Sequence, residues 1–194
     1  MSQKIARVVS NILNPFLVCF ITVVLLVTHT VDSFSSAARW TAIALVFSVI
    51  PVFAFILVQV RRKKLDSIFP EGQGQRRVIY ALASAISALG YVMMLRFSAP
   101  RLLAVSFLAG MLTVIVFMLI NLYWKISLHT AFISAASVVL TVVYGAGAAW
   151  LFAILPVIGW SRLTLKLHTL TQVIVGAVLA AVIVSGIYWG FGVI

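Results

Sequence analysis

Long apolar runs, separated by short polar segments, occupy most of this chain. Hydrophobic residues make up 64% of its 194 residues, and charged residues only 9%. A water-soluble domain cannot cover its surface with so few charged side chains. In lipid, consecutive runs of this length satisfy their own backbone hydrogen bonds only as helices. The sequence therefore predicts one all-α domain over residues 1–194, a multi-pass helix bundle of the cell membrane with about six to seven transmembrane helices.

Polar breaks divide the chain into predicted elements. Residues 1–13 are predicted to form an interfacial helix, because apolar side chains recur there at helical spacing opposite basic and amide side chains. The segment from His129 to Ser161 is too short for two full crossings, which predicts a short hairpin that turns near Gly145. The predicted full spans are 16–31, 40–60 with a kink at Pro51, 78–95, 102–123 and 170–188, and a polar loop is expected over 32–39.

The charged residues are strongly unbalanced. Against 14 lysines and arginines the chain has only three acids, and its net charge is +11. So few acids exclude a hydrolase with a carboxylate pair, and three histidines with a single cysteine do not make a zinc site. We therefore expect neither a metal nor a cofactor. The basic residues lie at the ends of apolar runs, which predicts the membrane surface and a phosphorylated lipid or polyprenyl substrate as partners, and no nucleic acid.

The stretch from Ser161 to Gly176 carries the chemistry that this composition leaves open. His168 and Gln172 are four residues apart, so on a helix they share a face and can touch. Arg162 lies six residues before His168, in the preceding turn. A histidine that is held by a side chain one turn on, with a fixed cation beside it, is suited to attack a phosphate, because the cation offsets charge on the phosphoryl oxygens.

Two segments resemble signatures of a known family. Ser161-Arg162, followed after five residues by His168 and after three more by Gln172 and a Val-x-x-Gly run, resembles the third signature of the type 2 phosphatidic acid phosphatase superfamily. Lys125-Ile-Ser127-Leu-His129 is similar to the second signature, Pro-Ser-Gly-His, of which it keeps the serine and the histidine. The first signature does not occur in its usual form, and Gln172 stands where the family has an aspartate.

The resemblance implies a metal-independent lipid phosphatase whose site lies in residues 124–176. His168 would attack phosphorus to form a phosphohistidine, and His129 would protonate the leaving group and then activate water. Gln172 would accept a hydrogen bond from the ring of His168, and because it is neutral where the family has an acid, we expect a slow enzyme. The substrate class that the family implies is a lipid phosphate or an isoprenoid (di)phosphate. The phosphate-binding candidates are Arg162, Lys125, Ser127, Arg76, Arg77 and Lys64.

The basic loop over residues 61–77 has two interpretations. It is either a cytoplasmic topology signal that flanks two spans or a diverged first signature whose cations fold over the substrate phosphate. Arg76 and Arg77 adjoin the third span, so we expect one of them to point into the site. The residues from Arg61 to Lys63 are interpreted as topology signals.

The predicted spans return all the candidate segments to one side of the membrane. That side holds 11 of the 14 basic residues, which favours the cytoplasm. A second function stays open: a non-catalytic membrane protein that binds or transports a phosphorylated lipid. Gln172 and the missing first signature favour this alternative.

Overall fold

The chain folds into a bundle of helices, as the apolar runs predict. The structure, a computed structural model, describes residues 1–70 and 72–194, and within them there is no β-strand. The helices are α1 (Ser2–Ile12), α2 (Pro15–Thr30), α3 (Phe34–Val46), α4 (Val49–Arg61), α5 (Gln73–Arg96), α6 (Arg101–Asn121), α7 (Leu128–Tyr144), a 3₁₀ helix (Ala146–Ala153), α8 (Ile154–Thr164) and α9 (Leu170–Gly190). The predicted all-α class is confirmed.

The helix lengths and compositions are those of a multi-pass membrane protein. Over the described residues, four helical segments are long and apolar enough to cross a membrane: Gly74–Arg96, Arg101–Asn121, Ala146–Thr164 and Leu170–Gly190. Two bent pairs, α1 with α2 and α3 with α4, raise the number to six if each pair forms one span. Helix α7 has 17 residues and is shorter than these, as the predicted short hairpin requires of its first arm, whereas the return arm, Ala146–Thr164, is long enough to cross the membrane.

The second apolar run differs from its predicted boundaries. Its first helix begins at Phe34 and not near residue 40, because the Ser33 hydroxyl accepts from the backbone N–H of Ser36 and caps the helix. The predicted loop over 32–39 is therefore wrong. The run then bends by 41° at Phe47 and Ser48. Pro51 lies four residues beyond Phe47, and its ring would clash with the carbonyl of Phe47 in a continuous helix, which accounts for the break.

Close contact between α7 and α9 brings the two histidine segments together. A side chain at Gly176 would place its Cβ 2.7 Å from the carbonyl oxygen of Ser127, so only glycine allows this approach. Two hydroxyls cross the contact, from Thr130 to the Val173 carbonyl at 3.0 Å and from Ser134 to the Ala177 carbonyl at 2.7 Å. The start of α7, with His129, is thereby held beside the start of α9.

Helix α1 packs on α8 through its small residues. Ala6 and Ser10 are buried, and the Ser161 hydroxyl donates to the carbonyl of Ala6 at 2.6 Å. The apolar side chains of Ile5, Val8 and Ile12 are half or more exposed. The helix therefore has one face on the bundle and an apolar face turned outward, as expected for a helix at a membrane surface.

Candidate functional site

Five of the predicted site residues lie around one cavity of about 130 Å³. Its polar wall is formed by side chains from α5, the segment before α7, the start of α7, α8 and the turn before α9: Arg76, Lys125, His129, Arg162 and His168. His129, Arg162 and His168, which the resemblance assigns to one site, all line this cavity. Their catalytic roles stay predictions.

Hydrogen bonds determine the tautomer of His168. Its Nδ1 lies 3.0 Å from Oε1 of Gln172, and the same oxygen accepts from the backbone N–H of Thr169 at 3.2 Å. That second bond identifies the atom as the amide oxygen, because the amide nitrogen could not accept. An amide oxygen carries no proton, so Nδ1 of His168 is the protonated nitrogen. The other ring nitrogen, Nε2, therefore keeps its lone pair.

Gln172 has a structural role as well as this contact. The Thr169 hydroxyl accepts from the backbone N–H of Gln172, and the Gln172 side chain accepts from the backbone of Thr169. This reciprocal pair is a capping box that begins α9. The position of Oε1 is thus set by the helix start, and His168 is oriented against an acceptor that is already in place.

The surroundings keep His168 neutral. The pKa of His168 is lowered from 6.5 to about 3, mainly by burial and next by the nearby guanidinium of Arg162, with smaller contributions from Lys125 and Arg76. The hydrogen bond to Gln172 opposes this shift. The imidazole is therefore unprotonated, the nucleophilic form, at neutral pH. Because the unfolded chain takes up this proton first, the shift reduces the stability of the folded protein as pH falls below about 6.5.

A serine that the sequence analysis missed connects Arg162 to His129. Nη1 of Arg162 donates to Oγ of Ser10 at 2.7 Å, and the same Oγ lies 3.4 Å from Nε2 of His129. Since Ser10 accepts from the guanidinium, its own proton is available to the imidazole. Ser10 comes from α1, 152 positions before Arg162. The only signal in the sequence is that Ser10 follows Ala6 by four residues, which gives α1 a small-residue face.

The basic loop contributes one arginine and an apolar cover. Arg76 is buried, and its Nη2 donates to the carbonyl of Ile126 at 2.8 Å. Phe69 packs its ring edge on His129, with 5.2 Å between the ring centroids, and Pro70 also lines the cavity. Arg77 and Lys64, which were predicted to bind phosphate, are exposed and do not line it. Arg77 points away because consecutive residues on a helix face directions about 100° apart.

The remaining candidates lie in different places. Ser127, which was predicted to bind phosphate, is fully buried and does not line the cavity, and its hydroxyl has no hydrogen-bond partner among the described residues. Asp66, an acid of the basic loop, accepts from Nε2 of Gln75 at an exposed position. Glu71 lies outside the described residues. Among those residues, no group of three or more His, Cys, Asp or Glu side chains is placed to hold a metal ion.

The opposite end of the bundle carries the third histidine. His29 packs its ring edge on Tyr144, with centroids 5.0 Å apart, at the end of α7 that is distant from His129. The site end thus combines three cationic side chains with two imidazoles. Such a set is suited to bind a phosphoryl group and to exchange a proton with it.

Comparisons of the chain with protein-family models, curated proteins and solved structures found no match.

Proposed function

We propose that this protein is a metal-independent lipid phosphatase, a divergent member of the type 2 phosphatidic acid phosphatase superfamily. The observation that carries the proposal is the placement of His168: its Nδ1 is held by Oε1 of Gln172, which leaves Nε2 with its lone pair, and it shares a cavity with Arg76, Lys125 and Arg162. A nucleophile next to three cations matches what attack on an anionic phosphorus requires. The surplus of basic residues on the site end favours a cytoplasmic orientation.

The proposed reaction has two steps. In the first, Nε2 of His168 bonds to phosphorus, the bond from phosphorus to the lipid oxygen breaks, and His129 gives that oxygen a proton. Burial and the guanidinium of Arg162 lower the pKa of His129, and the doubly negative phosphate opposes this shift, so that His129 takes up the proton of this step when the substrate binds. In the second step, His129 removes a proton from water as the water oxygen attacks the phosphohistidine. Inorganic phosphate leaves and His168 is restored.

A second candidate, a protein that binds or transports a phosphorylated lipid without hydrolysing it, is favoured by one observation. The imidazole becomes positively charged when it bonds to phosphorus, and its partner Gln172 supplies only a dipole. The same cavity would then hold the phosphate without turning it over.

Phosphate release from the purified protein in detergent separates the two candidates. We expect release from farnesyl phosphate, lysophosphatidic acid or phosphatidic acid that is unchanged by EDTA. Binding of these lipids without release would support the second candidate. Release that EDTA abolishes would contradict the metal-independent mechanism. A protein that neither binds nor hydrolyses these lipids would refute both candidates.

Replacing Gln172 with glutamate is expected to raise turnover about tenfold, which corresponds to ~1.4 kcal/mol. Glutamate has the same length and is preferred at this position of a capping box, so both hydrogen bonds of Oε1 are retained. Its negative charge stabilises the positively charged imidazole and raises the pKa of His168. The measurement is kcat for a lipid phosphate between pH 5 and 8.

Thr171→Glu is the matched control for this change. Thr171 is exposed on the same first turn of α9. A glutamate at this position therefore adds the same charge near the helix start without facing His168. A Gln172→Glu enzyme that is no faster than Thr171→Glu would mean that Gln172 serves the helix cap alone.

A further inference from the structure

An apolar cavity of about 210 Å³ lies directly beside the cationic one. Residues of α2 and α7 line both cavities, among them Pro15, Phe16, Leu128 and Phe132. The two spaces are therefore neighbours with a common wall at the site end of the bundle. A group that occupies the cationic cavity therefore lies next to the apolar one.

The apolar cavity extends deep into the bundle. On α2 it is lined from Pro15 to Leu26, which at 1.5 Å per residue corresponds to a depth of about 16 Å. Leu103, near the first residue of α6, and Val184 on α9 line its distal part. Both positions belong to the end of the bundle opposite His129 and His168. The cavity thus runs along the helices for about half the thickness of the hydrocarbon core.

Most of the hydroxyls that line this cavity already have a hydrogen-bond partner in the backbone. The hydroxyls of Thr22, Ser48 and Ser106 each donate to a carbonyl of the preceding helical turn, at 2.6–2.8 Å. They are already satisfied by the backbone. The cavity therefore offers an apolar surface to an apolar occupant.

We propose that this cavity holds the single hydrocarbon tail of the substrate, and that the protein selects lipid phosphates with one chain, of the prenyl or alkyl type, over diacyl lipids. The inference rests on the proposed function, because it places the phosphate in the adjoining cationic cavity. Together the two cavities fall at the small end of the ~300–1,000 Å³ range of ligand sites, which suits one head group and one chain. Since a tail gains little by leaving lipid for another apolar environment, the selection acts through shape.

Gly110 offers a way to fill the cavity without disturbing the fold. It lines the apolar cavity, and a Cβ at this position would have no neighbouring atom within 4 Å. Leucine is also a better helix former than glycine, so Gly110→Leu is expected to fold. Gly186→Leu is the matched control, because Gly186 is likewise open within 4 Å on α9 and lines neither cavity.

The test measures binding of hydrolysis-inert phosphonates in detergent by native mass spectrometry. For the wild type and Gly186→Leu we expect hexadecyl phosphonate to bind at least about tenfold more tightly than a diacyl phosphonate. For Gly110→Leu we expect hexadecyl phosphonate to bind about tenfold more weakly than to the wild type, with butyl phosphonate unchanged.

Several results would overturn the proposal. One is equal affinity of the wild type for diacyl and single-chain phosphonates. Another is a Gly110→Leu protein that binds hexadecyl phosphonate as tightly as the wild type does. A third is a Gly110→Leu protein that loses the binding of butyl phosphonate together with that of hexadecyl phosphonate. If Gly110→Leu fails to fold, the affinities of the wild type for hexadecyl phosphonate and for the diacyl phosphonate still test whether the protein selects a single chain. Because phosphonates are not hydrolysed, the outcome can be interpreted even if the protein proves to have no phosphatase activity.

Discussion

Replacing His168 with alanine is expected to lower lipid phosphate hydrolysis by about 10⁴-fold or more, the scale seen when a nucleophile is removed from a set of residues that act as a unit. In the proposed reaction no other side chain can accept the phosphoryl group, so the loss should appear in kcat. Lipid binding should persist, because the cations of the cavity are unchanged. Phosphate release is measured at saturating lipid phosphate. In addition, the wild-type reaction is quenched rapidly without acid, and mass spectrometry of the protein detects a phosphoryl group on His168.

His29→Ala is the control for this variant. It removes a histidine at the opposite end of the bundle, whose ring makes a T-shaped contact with Tyr144. We expect its activity to equal that of the wild type. A His168→Ala protein with more than about one-tenth of wild-type turnover would refute the phosphohistidine mechanism.

Replacing Arg76 with alanine is expected to lower kcat/KM by about 10²- to 10³-fold, the usual effect of removing one donor that stabilises a developing oxyanion. Arg76 is buried in the cavity wall, and its donation to the Ile126 carbonyl also fixes the segment that leads to His129. The neighbouring Arg77 is exposed, so Arg77→Ala is a control of identical chemistry and should have no effect. Steady-state kinetics on a lipid phosphate compare the two.

Arg76→Lys separates the charge of Arg76 from its structural contact. Lysine keeps the positive charge but lacks the planar fork of donors, so we expect partial recovery of kcat/KM relative to Arg76→Ala. Thermal unfolding of each variant gives the contribution of the Ile126 contact, since a buried carbonyl without its donor costs about 1–3 kcal/mol. Equal activity of Arg76→Ala and Arg77→Ala would reduce the loop to a topology signal.

Local interactions explain which parts of the site could be predicted. His168 and Gln172 meet because they are four residues apart around a helix start, and the Thr169 cap that positions Gln172 is also local. The bend before Pro51 follows from the proline ring itself. The start of α3 was misplaced because the cap by Ser33 outweighed the polar composition of residues 34–39.

Long-range packing explains what could not be predicted. Arg76 and Arg77 are chemically identical neighbours, and only the rotation of α5 against the rest of the bundle decides that Arg76 is the buried one. Ser10 reaches Arg162 because the small-residue face of α1 packs on α8, a contact between residues 152 positions apart in the chain. No pattern within α1 indicates that partner.

By itself, the amino-acid sequence determined that this chain is an all-α, multi-pass membrane protein, since the length and apolarity of its segments allow no other way to satisfy the backbone in lipid. It also determined the pairing of His168 with Gln172, which depends only on helical periodicity. The tertiary structure decided that Arg76, Lys125, His129, Arg162 and His168 surround one cavity and that an apolar cavity adjoins it. These features depend on how helices distant in sequence are rotated and packed against one another, and that information lies in the complementary shapes of their faces and not in any single segment.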